Sequence, residues 1–281
     1  MTNQFYGLVP DSGCDLTADI RDYFDVRRVA LTLRVGETEF ADDATLDLPA
    51  FHRAITQGKA QIRSACPAPG VWADAFVSHP APVVFCVTLA AKQSGAYASA
   101  VQGAELAAER GKRVHVFNSK SATAGELQTA LKIREAIEMG LDFDGIVAYV
   151  TEFIDKMQTF AVLKNTDGLI KNGRMPNFLG KAVEMLNLKL ILYSDGNGVI
   201  LLRSKARGFD AALEKMVSLW ADTCEDFTQR TLVVTHGSNE QAAQRVADLG
   251  KETYGFRDCV VLSTGGIGSL YGGVGGVVVA F

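Results

Sequence analysis

The chain has 281 residues, with 48% hydrophobic and 21% charged side chains and a net charge of −4. That composition suffices for one large or two ordinary domains with a sizeable core, and it excludes general disorder. The acidic balance excludes the basic stripe of a nucleic-acid binder.

Five scattered cysteines (Cys14, Cys66, Cys86, Cys224, Cys259) form no C-x-x-C pair, and the four histidines are dispersed. This pattern suits a reducing cytoplasm and gives no metal site. The N-terminus lacks the basic start and apolar run of a signal peptide, and no apolar run reaches spanning length. The expectation is a cytoplasmic protein without stable membrane insertion.

In chain order, Phe5 to Pro10 is a short apolar run followed by Asp11-Ser12-Gly13, and Val29 to Val35 is β-rich. Val83 to Leu89 reads as a buried strand. The next helix carries Tyr97, Val101, Ala104 and Ala108 on one face and stops at Gly111. Val114 to Asn118 is a strand, and the helix after it aligns Ala130, Ile133, Ile137 and Leu141. Strand–helix–strand order predicts a parallel sheet covered by helices.

The second half begins near Thr151, with a helix predicted to carry Phe153, Met157, Phe160 and Ala161. Lys189 to Ser194 and Val199 to Ser204 flank Asp195-Gly196-Asn197-Gly198, which predicts an antiparallel hairpin. A helix with Phe209, Leu213, Met216, Val217 and Trp220 follows. Then come strand Thr231 to Thr235, helix Glu240 to Leu249, and strands near Cys259 and Val277. The glycine-rich stretch from Gly265 to Phe281 reads as buried strand and loop. The fold class is therefore α/β: residues 1–150 form a parallel-sheet N-terminal domain, and residues 151–281 a mixed α/β C-terminal domain, with a ligand cleft between them.

Three hydroxyl-rich loops follow strands in the first half: Asp11-Ser12-Gly13, Lys92-Gln93-Ser94-Gly95, and Asn118-Ser119-Lys120-Ser121-Ala122-Thr123. Ligands of open parallel sheets bind at the carboxyl ends of strands, where helix N-termini favour anions. Each loop alone reads as a helix N-cap; three at one sheet edge also fit an anion site. Ser94 is the sharpest candidate. The glycines 265–268 and 272–276 lack a P-loop ending and fit no dinucleotide fingerprint. His115 reads as structural, and His236 stands at a strand end beside a Gly-Ser loop. No nucleophile–base pair can be assembled from spacing, so no catalytic residue and no cofactor is assigned.

These motifs resemble the DegV family of bacterial fatty-acid-binding proteins. Asp11-Ser12-Gly13-Cys14-Asp15-Leu16 resembles its D-S-x-x-D-L opening, and Ser94-Gly95-Ala96-Tyr97-Ala98-Ser99-Ala100 its S-G-T-Y-x-S-A element. Asn118-Ser119-Lys120-Ser121 is similar to D-S-x-S, and Leu169-Ile170-Lys171-Asn172-Gly173-Arg174-Met175 to L-x-K-G-G-R-I. Lys205-Ala206-Arg207 resembles K-x-R, and Thr235-His236-Gly237 falls where the family has a histidine after a strand.

The resemblance implies a long-chain fatty acid in a tunnel between two domains. It also implies a partner, a fatty acid kinase that phosphorylates the bound carboxylate, so that this chain is a carrier rather than an enzyme. Ser94, Gly95, Ser64, Ser121, Arg174 and Tyr271 become the expected ligand-binding set, and Arg207 an expected kinase contact. Phe178, Leu179 and Met185 are expected along the tunnel wall. Two departures stand out. Ser64-Ala65-Cys66-Pro67-Ala68 keeps one hydroxyl of the family's T/S-S-Q-P-S/T loop. In the loop Ser269-Leu270-Tyr271-Gly272-Gly273 the family histidine is lost at Leu270, with Tyr271 as a replacement donor. The alternatives are a phosphoryl or acyl transferase using the glycine-rich end and His236, or an interaction protein with a decayed pocket.

Overall fold

The computed structural model describes residues 5–57, 60–175 and 187–281. Phe178, Leu179 and Met185 lie outside the described residues.

The parallel sheet is built from β1 (Tyr6–Leu8), β5 (Val83–Thr88) and β6 (Arg113–Asn118), with β5 central. Every residue of β5 is buried, as a continuous apolar run in a doubly covered strand requires. Helices α3 (Pro69–Ser78) and α4 (Ala96–Glu109) pack together over one face, with Trp72, Phe76, Ala96 and Ala100 in one cluster with Val84 and Cys86.

A small antiparallel sheet was not legible in advance. The strands β2 (Thr32–Val35), β3 (Thr38–Ala41) and β4 (Ile62–Ala65) pair in the order β3-β2-β4. Of the predicted strand from Val29, only Thr32–Val35 forms it; Val29 makes an isolated bridge to Asp11. Helix α2 (Leu48–Gln57) packs Phe51 against Leu33 and Val35 of this sheet, whereas α1 (Ala18–Phe24) packs Ile20 and Phe24 in the cluster of Leu8 and Phe85.

The mixed sheet has six strands in the order β11-β10-β12-β7-β8-β9. They are β7 (Thr159–Val162), β8 (Leu188–Ser194), β9 (Ile200–Arg207), β10 (Thr231–His236), β11 (Asp258–Ser263) and β12 (Val277–Ala280). Only β10 and β11 run parallel. The β8–β9 hairpin turns at Asp195, whose carboxylate accepts from Asn197 N and Val199 N. Helices α8 (Phe209–Ser218) and α9 (Glu240–Tyr254) cover the face where Trp220, Phe227, Phe256 and Phe281 cluster.

Two helices join the sheets: α5 (Ala124–Glu138) and α6 (Phe143–Lys156), the latter containing Thr151. The first half of α5 is buried, because its apolar residues share a cluster with Phe85 and Phe117 of one sheet and Val233 and Ala280 of the other. Gln128 survives there because its Nε2 donates to Thr231 O at 2.5 Å and to Ala280 O at 2.8 Å.

Two predicted elements change. The helix expected to reach Ala161 ends at Lys156, and Thr159–Val162 is strand β7. Its apolar spacing satisfies a helical period, but alternate burial and pairing to β12 and β8 decide for strand. The glycine-rich end contains a helix, α10 (Gly266–Gly272), ahead of β12. Two carboxylates make it possible. Asp15 Oδ1 accepts from Gly265 N at 2.8 Å, and Asp42 accepts from Gly266 N at 2.9 Å and Ile267 N at 3.0 Å. A Cβ on Gly266 would lie 2.5 Å from Asp42 Oδ1, so the glycine is what lets the carboxylate close on the backbone.

Candidate functional site

The carboxyl ends of β5 and β6, the small sheet, α10 and the β7–β8 face of the mixed sheet enclose a cavity of about 870 Å³, counted to its mouth. Its middle is apolar: Leu31, Leu89, Ala161, Leu163, Leu192, Ile200 and Val278 form the walls. The alternation along β7 places Thr159, Ala161 and Leu163 toward it.

The polar groups gather in patches. At one, Ser64 Oγ and Tyr271 Oη are 3.0 Å apart. The Arg174 guanidinium lies 5.4 Å from the Tyr271 ring centroid. It is held by two donations, Nε to Gln93 O at 3.1 Å and Nη1 to Asn172 O at 2.7 Å. No carboxylate among the described residues pairs with Arg174, so its charge is available to an anion in the cavity. Ser94 follows Gln93. Its Oγ accepts from Ala96 N at 3.2 Å in the first turn of α4, the residue lines the cavity, and no acceptor for its hydroxyl proton stands among the described residues.

Ser64, Ser94, Ser121, Arg174 and Tyr271 therefore come together on one cavity. Gly95 does not line it: it is the exposed N-cap of α4, against Cys66 Sγ. Arg207 is exposed at the end of β9, opposite Leu188, and is not in the cavity wall. Leu270 is packed in the small-sheet cluster, and it is Tyr271 that faces the cavity at the departure from the family loop.

Of the three hydroxyl loops, Asp11-Ser12-Gly13 stays out of the wall. Asp11 is a brace, accepting from Gly13 N and Leu89 N, both at 2.8 Å, and so fixing the end of β5. Ser12 Oγ accepts from Leu31 N at 3.1 Å. Beneath these loops lies a buried acidic group. Burial pushes Asp11 up to about 6 and Asp15 up to about 7, and raises Asp42. Burial and the neighbouring Asp11 charge push Glu126 well above the ordinary carboxylate value, and its side chain is hydrogen-bonded to Asp11. Arg28, which donates to Ser12 O, is the neighbouring cation.

His236 is buried, and its Nδ1 accepts from Asn239 N at 3.0 Å; burial lowers its pKa. His115 packs edge-on to Phe117 within β6. Neither lines the cavity. The terminal glycines serve close chain packing, with Gly275 N donating to Gly237 O at 2.5 Å and Gly276 against Gly272 O. Among the described residues no group of three or more His, Cys, Asp or Glu could hold a metal ion, and no helix is long and apolar enough to cross a membrane. Thr159 escaped sequence reasoning, because its segment was read as helix.

Comparison with known proteins agrees with this architecture. A "DegV domain-containing protein" of Streptococcus gordonii is 30% identical over 283 residues, 98% of each chain. A DegV-family crystal structure from Ruminococcus gnavus, described with vaccenic acid, is 32% identical with TM-score 0.93, covering 99% of this chain and 100% of that one. The fatty acid kinase B3 protein of Streptococcus pneumoniae, loaded with linoleic acid, is 27% identical with TM-score 0.90, over 99% of each chain. A family model described as uncharacterised proteins of the DegV family matches residues 6–281, and the chain belongs to the DegV family.

Proposed function

We propose that this chain binds one long-chain fatty acid, tail in the apolar cavity and carboxylate at the Ser64–Tyr271–Arg174 patch, and presents that carboxylate to a fatty acid kinase. The observation that carries the reading is an apolar cavity whose polar patch holds an arginine with no carboxylate partner among the described residues. The relatives crystallised with vaccenic and linoleic acids support the ligand class, and the pneumococcal kinase B3 protein supports the partner.

The energetics are favourable. Each buried CH₂ contributes about 0.8 kcal/mol, so a long chain gains roughly 10 kcal/mol before ordering costs. Burying the carboxylate costs several kcal/mol. Charge-assisted bonds from Arg174, Tyr271 and Ser94, at about 1.5–3 kcal/mol each, offset much of that. The tail drives affinity and the patch fixes direction.

Residues 1–150 and 151–281 act as two lobes closing on the ligand, with Gly95 and Arg207 outside the pocket, Arg207 as a partner contact. The chain is a carrier: the phosphoryl donor comes from the kinase. Titration of delipidated protein with oleate tests the binding step, and one equivalent per chain is expected. Adding a bacterial fatty acid kinase with ATP tests presentation. Acyl phosphate, trapped as hydroxamate, is expected only when this chain is present; no saturable oleate binding would end the reading.

A further inference from the structure

Helix α10 carries Tyr271 into the cavity wall, yet it is poorly equipped to hold itself in place. Three of its seven residues are glycine (Gly266, Gly268, Gly272), and a helix this short has little stability of its own. Its N-terminal end is tied by Asp15 and Asp42. Beyond Ile267, among the described residues, two side chains from elsewhere hydrogen-bond to it. One is Ser64, on the Tyr271 hydroxyl itself; the other is His52.

His52 lies in α2 beside Phe51, which shares a cluster with Ile267 and Leu270 of α10. The His52 ring adds directed bonds to that packing. Its Nε2 is 2.8 Å from Ser269 Oγ, and its Nδ1 is 3.1 Å from Ser238 Oγ. The ring thus joins α2, α10 and the turn between β10 and α9. Ser269 is fully buried and His52 is 9% exposed. Burial lowers the His52 pKa, which favours the neutral ring. A neutral imidazole has one donor and one acceptor, so the two serine hydroxyls occupy both nitrogens. The ring cannot turn without breaking a bond.

Ser269 and Tyr271 stand two residues apart, which is about 200° around a helix axis. His52 therefore grips the side of α10 opposite to the one that shows Tyr271 to the cavity. A short helix gripped there cannot roll about its axis, and its roll sets where the Tyr271 hydroxyl points.

We infer that His52 is a positioning residue for the ligand carboxylate, acting through its bond to Ser269 to aim the Tyr271 hydroxyl. The inference rests on the fatty acid reading above and adds to that site a side chain that does not line the cavity. A purely structural role for His52 would change folding stability and leave the affinity of the folded protein alone.

The two ring nitrogens can be tested apart. A Gln amide reaches as far as Nε2 and an Asn amide as far as Nδ1. His52→Gln thus keeps the Ser269 bond, and His52→Asn keeps only the Ser238 bond. Delipidated full-length protein is titrated with oleate. His52→Asn is expected to lose about tenfold in affinity, the worth of one hydrogen bond, while His52→Gln stays within about twofold of wild type. Ser269→Ala suits a helix and removes the same bond from the other side. It should repeat the His52→Asn loss, and it stands in that variant's place if His52→Asn does not fold. In a Tyr271→Phe background Ser269→Ala should cost no more than about twofold, because the hydroxyl it aims is already gone. Wild-type affinity in Ser269→Ala or in folded His52→Asn overturns the inference and leaves the fatty acid reading intact. So does a loss that persists in full on top of Tyr271→Phe, and so does an equal loss in His52→Gln and His52→Asn. Wild-type protein that binds no oleate overturns the inference together with that reading.

Discussion

The hydroxyls of Ser64 and Tyr271, 3.0 Å apart, join strand β4 of the small sheet to helix α10 at the polar end of the cavity. Residues 207 positions apart thus make one donor set, and each binding prediction follows from what that set does to a carboxylate.

Tyr271→Phe removes the phenol oxygen and keeps the ring beneath Arg174. Oleate affinity should drop about tenfold, the loss of one hydrogen bond of roughly 1–1.5 kcal/mol. Thermal stability should barely move, since Ser64 is only partly buried and can turn to water. Calorimetric titration and a melting curve on the same sample check both.

Arg174→Gln leaves the ligand carboxylate without its counter-charge. Oleate affinity should fall by about 2–3 kcal/mol, roughly 30- to 150-fold. Methyl oleate, which carries no charge, should bind wild type and variant within a few-fold of each other. An equal loss for acid and ester would mean that Arg174 supports shape rather than charge.

The buried acids beneath the loops predict an unusual pH response. Asp11 at about 6 and Asp15 at about 7 lie above the ordinary 3.8, so the folded state binds their protons more tightly than the unfolded state does. That stabilisation is complete below about pH 4 and is lost as pH rises through 6 and 7. Between pH 5 and 8 the unfolding free energy should fall by up to about 4 kcal/mol. Denaturant melts across that window check it. Glu126→Gln removes a carboxyl coupled to Asp11, and it should change the slope of this fall, whereas a surface change such as Glu252→Gln should not.

Gly268→Ala should destabilise the protein by about 1–3 kcal/mol, because the new methyl would overlap Thr264 Oγ1 and crowd Thr123. Gly273→Ala should also destabilise, for a different reason, since that residue sits at φ 74°. Urea unfolding of the two variants separates overlap from backbone strain: adding Thr264→Ala should rescue only the first.

Much of this was legible in the sequence where local chemistry decides structure. Strand β5 was legible from its unbroken apolar run, and the β8–β9 hairpin from Asp195-Gly196-Asn197-Gly198. Ser94 and Ser121 were visible as hydroxyls at strand ends. What escaped depends on distant partners. β7 satisfies a helical apolar spacing and becomes a strand only because β12 and β8 flank it, which hid Thr159. Helix α10 was hidden by its glycines, whose role appears only beside the carboxylates of Asp15 and Asp42, more than 200 residues earlier. The Asp11-Ser12-Gly13 motif was found but not its task, because a brace and a ligand loop look alike until Leu89 N is seen on the carboxylate.

The most direct test is a crystal structure of the delipidated protein soaked with 16-bromohexadecanoic acid, read from the anomalous signal of bromine. The account predicts one bromine peak deep in the cavity, with carboxylate density against Arg174 and Tyr271. An unfilled cavity, or bromine at the Arg174 end with the carboxylate turned inward, would contradict it.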